Sequence, residues 1–282
     1  MNGTAWMALS VGLVAAAGIG LIAFGNSRWR ASTQLQMAKL DAARIPMPPA
    51  RYDAREIDGL PAPVQRYFRA ALKDGQRFIA AANFELSGKM NMSATGEQWK
   101  PFTSTQRAVT HRPGFFWNGR VAMAPGLPAL VHDSYIAGAG TLHAAMLGLF
   151  TVAEVNGGGE IARGEFMRYF AEMAWYPTAL LPSQGVSWAA LDDHSANATL
   201  VDAEITVTLR FTFDDSGLIT IVHADARGSG VGKDMTMLPW DCTVSNYQLR
   251  DGMMVPTRGE AAKGGKSYFV GELKSLVYEF AS

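Results

Sequence analysis

The densest group of chemically capable side chains lies in residues 168–177. Arg168 and Glu172 are four positions apart, the spacing at which an arginine and a carboxylate meet on one face of a helix. On a solvated face they form only a weak surface ion pair. Alternatively, the Glu172 carboxylate lies at the mouth of a β-lined cavity, with Trp175 and Tyr176 as its wall. Both interpretations stay open, and the second makes these four residues candidate ligand contacts.

A second candidate is the pair His132-Asp133. Neighbouring residues on a strand point to opposite faces, so these two side chains do not act on one substrate atom, and we expect turn or edge residues. Asp133 nevertheless joins Trp117 as a candidate ligand contact, and a hydrolase would use Asp133, His132 or Glu172. The five histidines are isolated from one another. Without His-x-His or His-x-x-x-His spacing, no metal site is predicted.

Motifs for nucleophilic or phosphate chemistry do not occur in a complete form. The sequence has no Gly-x-Ser-x-Gly elbow. Residues 228–233 resemble a phosphate-binding loop, but Arg227 stands where its first glycine belongs and Asp234 where its hydroxyl belongs. Cys242 alternates with apolar residues on a predicted strand, as a core residue does. We therefore predict no catalytic residue and no cofactor, and an enzymatic activity is not favoured.

The composition limits the classes of protein to which the chain can belong. Its 282 residues include 25 Lys and Arg against 25 Asp and Glu, so the formal charge is zero. This balance excludes the basic surface of a typical nucleic-acid-binding protein. An aromatic content of 10% excludes a disordered chain. A single cysteine excludes an intramolecular disulfide framework and a thiolate zinc cage.

Residues 1–26 are predicted to form a transmembrane anchor. Residues 4–24 carry no charged side chain, and about 21 helical residues span roughly 30 Å of hydrocarbon. A signal peptide cleaved near residues 23–25 is the alternative, although the run is longer than a usual signal core. Residues 28–55 hold six basic and two acidic side chains, which favours the cytoplasmic side. The predicted localisation is the cell membrane, with a single pass and the lipid bilayer as a partner.

The remaining chain is divided into a linker and one β-rich domain. Residues 27–51 are predicted to form a basic juxtamembrane helix and a proline-rich linker, and residues 52–282 form the domain. At its start, Val64, Tyr67 and Phe68 lie on one face of a predicted helix. A second helix is predicted for residues 165–175.

Strands are predicted from residue 78 onwards because the apolar pattern changes to a period of two. The alternation is clearest in residues 205–213, and a single strand is predicted for residues 142–155. About ten strands joined by short turns predict a curved antiparallel sheet, a half-barrel or barrel. The fold class is therefore mainly β with a few helices (α+β), preceded by an N-terminal transmembrane helix.

Five motifs resemble an uncharacterised family of bacterial proteins with one N-terminal membrane span and a single domain of unknown function. They are Leu60-Pro61-x-Pro63-Val64-Gln65-Arg66-Tyr67, Trp99-Lys100-Pro101-Phe102, Pro113-Gly114-Phe115-Phe116-Trp117, Arg168-Tyr169-x-x-Glu172-x-x-Trp175-Tyr176-Pro177 and Phe211-x-Phe213-x-x-x-Gly217. The match runs from about residue 58 to the C-terminus and implies no activity, cofactor or catalytic residue. The chain departs from the family where Arg227-Gly228 replaces an expected Arg-Tyr and where residues 261–265 lack an expected tryptophan.

At the level of the fold, the pattern of helix and meander is similar to that of envelope lipoprotein carriers. The curved open barrel of those proteins shelters acyl chains. Non-enzymatic binding of an apolar or lipid ligand in a curved sheet is therefore the favoured function. The alternatives are a membrane-tethered hydrolase that uses acidic residues and a structural protein of the envelope.

Overall fold

The computed structural model describes residues 3–93, 95–230 and 235–281. The helices are α1 Gly3–Ala43, α2 Ala62–Ala71 and α3 Glu160–Ala171, with short 3-10 turns at Ala54–Ile57, Glu172–Trp175, Pro177–Leu180 and Pro182–Gln184. The strands are β1 Ile79–Asn91, β2 Trp99–Val109, β3 Gly114–Ala124, β4 Leu127–Ile136, β5 Ala139–Met146, β6 Phe150–Gly157, β7 Ser187–Ala190, β8 Ser195–Asp202, β9 Ile205–Phe213, β10 Ile219–Ser229, β11 Thr236–Arg250, β12 Met253–Lys263 and β13 Lys266–Phe280.

The described strands form one antiparallel sheet of 13 strands in the order β6-β5-β4-β3-β2-β1-β13-β12-β11-β10-β9-β8-β7. The predicted mainly β class with one large, curved antiparallel sheet is confirmed, but the strand number of about ten was too low. The strand predicted for residues 142–155 is two strands, because Leu147 and Gly148 adopt positive φ angles of 56° and 70° in a turn. The alternation of β12 was missed because Pro256 and Gly259 interrupt it.

The inner face of the sheet is the face that α2 and α3 cover. The predicted apolar stripe of α2 is buried, with Val64, Tyr67 and Phe68 fully shielded from solvent. The helix α3 packs against strands from β3 to β6 and against β9 and β10. It begins at Glu160, five residues earlier than predicted, because three glycines at 157–159 end β6 just before it. The 3-10 turn Glu172–Trp175 continues it.

The outer face of the sheet receives the second half of α1. Trp29 and Leu40 are buried there, and the Trp29 indole stacks on His132 with ring centroids 3.9 Å apart. The segment expected to be a juxtamembrane helix followed by a linker is therefore helical to Ala43, and its helix is packed on the sheet. Among the residues described, no helix has the length and apolar character needed to cross a membrane.

A buried arginine on β2 connects α1 to the sheet through hydrogen bonds. The Arg107 guanidinium donates to Asp41 of α1 at 3.0 Å and to Glu279 of β13 at 2.5 Å, and Arg44 also pairs with Glu279. These contacts link two elements that are distant in the sequence. Of residues 228–233, which resemble a phosphate-binding loop, 228 and 229 belong to β10, and 231–233 lie outside the described residues.

Candidate functional site

A cavity of about 270 Å³ lies between α3 and the inner face of the sheet. Cross-strand registry builds one wall, because Trp117 is opposite Asp133 and Asp133 is opposite Leu142. The other wall comes from β11–β13, where Trp240 is opposite Lys263 and Cys242 is opposite Ala261. The remaining contributors are Met90, Val131, Glu165, Arg168, Glu172, Trp175, Arg227, Gly259, Glu260, Tyr268 and Phe269. The walls are thus mostly apolar and aromatic, with a few charged groups, as ligand pockets usually are.

Arg168 is the most highly connected charged group of the cavity. Its Nε donates to Glu172 at 2.8 Å, its Nη1 to Asp133 at 2.5 Å and its Nη2 to Gln106 at 3.1 Å. The Gln106 amide also donates to the second Glu172 oxygen at 2.5 Å. Burial alone would lower the pKa of Arg168, but Glu172 and Asp133 outweigh it and raise the pKa. The guanidinium therefore stays charged and holds both carboxylates in place.

Glu165 is the carboxyl group with the most unusual environment. It lies on α3 with a side chain only 8% exposed. Burial, followed by the nearby negative charge of Asp133, raises the pKa of Glu165 well above that of a free glutamic acid. Arg227, whose Nη2 is 3.3 Å from Glu165 Oε1, acts in the opposite direction but does not prevail. Glu165 Oε2 and Asp133 Oδ1 are both buried without a hydrogen-bond partner.

Arg227 and Lys263 form the basic end of the cavity. The Arg227 guanidinium donates to the Gly164 carbonyl at 3.0 Å and lies over the Trp240 ring, 4.8 Å from its centroid. Lys263 Nζ lies 4.9 Å from the centroid of the Tyr268 ring. Burial, and secondarily Arg227, lowers the pKa of Lys263. Arg227 is the arginine expected of the resembled family, next to the departure at Gly228, and Lys263 lies in the segment that lacks the expected tryptophan.

The aromatic residues differ in their relation to the cavity. Trp117 and Trp175 line it, and the Trp175 indole is fixed by donating to the Pro256 carbonyl at 2.9 Å. Gly259 lies beneath that indole, and a Cβ there would be 3.1 Å from the ring, which is closer than an ordinary van der Waals contact. Tyr176 is fully buried and donates to the Tyr169 carbonyl at 2.9 Å, away from the lining.

The structure brings together five of the six predicted contact residues, Asp133, Trp117, Arg168, Glu172 and Trp175, and places Tyr176 in the core. The Arg168–Glu172 pair is buried, so the interpretation as an exposed surface pair was wrong. His132 and Asp133 lie within β4 instead of at a turn or edge, and they point to opposite faces as predicted. Their role as ligand contacts stays a prediction.

Four polar residues of the site were missed as functional candidates: Gln106, Glu165, Arg227 and Lys263. Glu165 precedes Glu172 by seven residues, two helical turns, and this spacing was an available signal. Arg227 could not be placed because a bulge between Ala224 and Arg227 shifts the register of β10. Lys263 would have followed from the alternation Gly259, Ala261, Lys263 had β12 been recognised. In the described part of the chain, no three metal-ligating side chains converge.

The fold and the cavity define a class of protein: an open antiparallel sheet whose inner face, covered by helices, holds an aromatic and charged pocket. The chain belongs to the family of unknown function DUF6920, whose sequence model matches residues 58–278. The predicted membership of an uncharacterised family is thus confirmed. No curated protein matches the chain. Among solved structures, a LolA superfamily protein from Nitrosomonas europaea matches with 8% identity and a TM-score of 0.39, covering 77% of this chain and 92% of that one.

Proposed function

We propose that the protein binds a small ligand with an apolar body in the cavity between α3 and the sheet. One observation carries this proposal: three tryptophans, Trp117, Trp175 and Trp240, line a cavity of about 270 Å³ that also contains basic and acidic side chains. Mostly apolar and aromatic walls with a few polar groups are the usual features of a ligand-binding site.

Binding fits the side chains better than hydrolysis does. The Asp133 and Glu172 carboxylates each accept a hydrogen bond from Arg168, which occupies one oxygen of each group. No serine, threonine or histidine belongs to the described lining. Burial raises the pKa of the Cys242 thiol to about 12, so the thiolate needed for nucleophilic attack is scarce at neutral pH. The cavity therefore has a polar end, and its described lining contains no activated nucleophile.

The proposal is tested by placing a large side chain in the cavity, with the same substitution at the neighbouring position of β12 as a control. Ala261 and Ala262 are neighbours on β12, and only Ala261 lines the cavity. We expect the neutral probe octan-1-ol to change the tryptophan fluorescence of the full chain saturably, since three tryptophans line the cavity. Ala261→Phe should abolish this response, whereas Ala262→Phe should keep it.

The experiment has two outcomes that would overturn the proposal. Octan-1-ol that causes no saturable change in the wild-type protein would show that the cavity does not accept an apolar body. An equal response in both folded variants would show that the probe binds elsewhere. Thermal unfolding of both variants, followed by circular dichroism, verifies that each one folds.

A further inference from the structure

The charged groups around the cavity are unevenly paired. Of the described lining residues, Arg168, Arg227 and Lys263 are basic, and Asp133, Glu165, Glu172 and Glu260 are acidic. Glu260 is paired with Arg258, which lies two residues before it on β12, at 2.7 Å. Three basic and three acidic groups therefore remain to be balanced within the cavity.

One proton between Glu165 and Asp133 changes this balance. Each of the two carboxyl groups has a buried oxygen without a partner, and two adjacent carboxylates do not readily ionise together in a buried site. A protonated Glu165 donates its hydrogen to Asp133, and this single hydrogen bond satisfies both oxygens. The pair then carries one negative charge, and the cavity as a whole carries an excess of one positive charge.

The excess positive charge lies at Arg227 and Lys263, because the ion-pair partner of Arg227 is the protonated Glu165. Arg168 has Asp133 and Glu172 as partners, whereas Lys263 forms no ion pair within the described residues and lies over the Tyr268 ring. Lys263 is the last residue of β12, beside the turn at 264–265, so its ammonium marks one end of the cavity. Arg227 lies next to it, since its Nη1 is 3.4 Å from the Tyr268 hydroxyl.

The volume of the cavity limits the body of the ligand. At about 30 Å³ for each water-sized group, about 270 Å³ has room for roughly nine such groups. A single short alkyl or aryl chain with a small head group fits this space, whereas the two long chains of a phospholipid do not.

We propose that the ligand is a single-chain amphiphile with one negative charge, whose anionic head group is held by Lys263 and Arg227 and whose chain lies among the cavity tryptophans. This inference rests on the proposed function and adds the charge and size of the ligand. An anion at this end neutralises the unpaired ammonium and gains hydrogen bonds to charged donors.

The test is a charge series with one chain length, measured by isothermal titration calorimetry on the full chain. Octanoate, octan-1-ol and octylammonium share their chain and differ in their head group. We expect octanoate to bind about tenfold or more tightly than octan-1-ol, because a hydrogen bond to a charged group exceeds a neutral one by about that factor. Octylammonium should bind most weakly, since it meets Lys263.

Two variants assign the effect to one side chain. Lys263→Met keeps most of the stem and should reduce octanoate binding severalfold more than it reduces octan-1-ol binding, because Arg227 remains as a second donor to the anionic head group. Lys274→Met removes a lysine that is paired with Glu272 on β13 and does not line the cavity, and it should leave the whole series unchanged.

Each alternative result has a defined meaning. Equal binding of octanoate and octan-1-ol by the wild-type protein overturns the anionic head group but leaves the proposed function intact. Binding of neither probe overturns both. Phosphatidylglycerol vesicles form a further arm: transfer of the intact phospholipid to the protein, competitive with octanoate, would overturn the single-chain ligand.

Discussion

Replacing Glu172 by glutamine is expected to destabilise the protein strongly. The Glu172 carboxylate accepts from Arg168 at 2.8 Å and from Gln106 at 2.5 Å, and its side chain is only 9% exposed. A glutamine has one acceptor oxygen and one amide group, so one of the two donors would face another donor. Breaking a buried ion pair by removing one partner costs about 3–5 kcal/mol. Because one acceptor survives, we expect the free energy of unfolding to fall by about 3 kcal/mol.

Glu260→Gln is the matched control, because it is the same substitution in an ion pair that is exposed. Glu260 pairs with Arg258 at 2.7 Å, with side chains 40% and 34% exposed, so its loss should cost less than about 1 kcal/mol. Urea denaturation gives both values, provided that the slope of the transition is unchanged. A loss below about 1 kcal/mol in Glu172→Gln, equal to the control, would refute the buried network.

Three further outcomes are expected. Trp175→Ala should lower the free energy of unfolding by about 3–5 kcal/mol in urea, because the indole is 3% exposed and leaves a cavity; a cost below about 1 kcal/mol would contradict its anchoring role. The pKa of Glu165 is raised in the folded state, so the free energy of unfolding should fall as the pH rises above 4.5. Glu165→Gln should reduce this dependence of the melting temperature on pH. An unchanged dependence in the variant would contradict the raised pKa. The hydrogen bond from Arg107 lowers the pKa of Glu279 to about 2, so the stabilisation by the Glu279 carboxylate is present above pH 4.5 and is lost as the pH falls toward 2. Because Glu279 is 42% exposed, Glu279→Gln should lower the free energy of unfolding by less than about 1 kcal/mol. A loss of stability in Glu279→Gln that persists at the lowest pH would contradict this assignment.

The sheet was predictable wherever local alternation is uninterrupted. In β9 the apolar residues Val207, Leu209 and Phe211 are buried and their neighbours face outward, as the sequence pattern requires. The pattern is lost where the backbone departs from a regular strand, as at the turn after β5 and at the bulge of β10. Such departures depend on contacts between distant strands, which a local pattern does not contain.

The sequence predicted two of the acidic and two of the aromatic residues of the site, but it predicted neither Glu165 nor the basic end. Arg168 and Glu172 could be linked because a helix fixes the distance between positions four apart. Their burial could not be inferred, since it results from Gln106 and Asp133 on strands that lie far away in the sequence. Lys263 came from a strand that was not recognised, and so the positive charge of the cavity was missed.

The burial of α1 was missed for a related reason. Its second half has the mixed polar composition of a solvated helix, which favoured a juxtamembrane assignment. The packing depends on a few contacts, above all the stacking of Trp29 on His132 and the ion pair of Asp41 with Arg107. These partners lie about a hundred residues or less away on the outer face of the sheet, and nothing in the local sequence connects them.

Native mass spectrometry of the full chain with octanoate tests whether the cavity holds one anionic amphiphile. We expect one bound octanoate for each protein, lost in Ala261→Phe and retained in Ala262→Phe, because Ala261 lines the cavity and Ala262 does not. Wild-type protein that keeps its unliganded mass at saturating octanoate, or two variants that bind it equally, would contradict the claim that this cavity is a binding site for an anionic amphiphile.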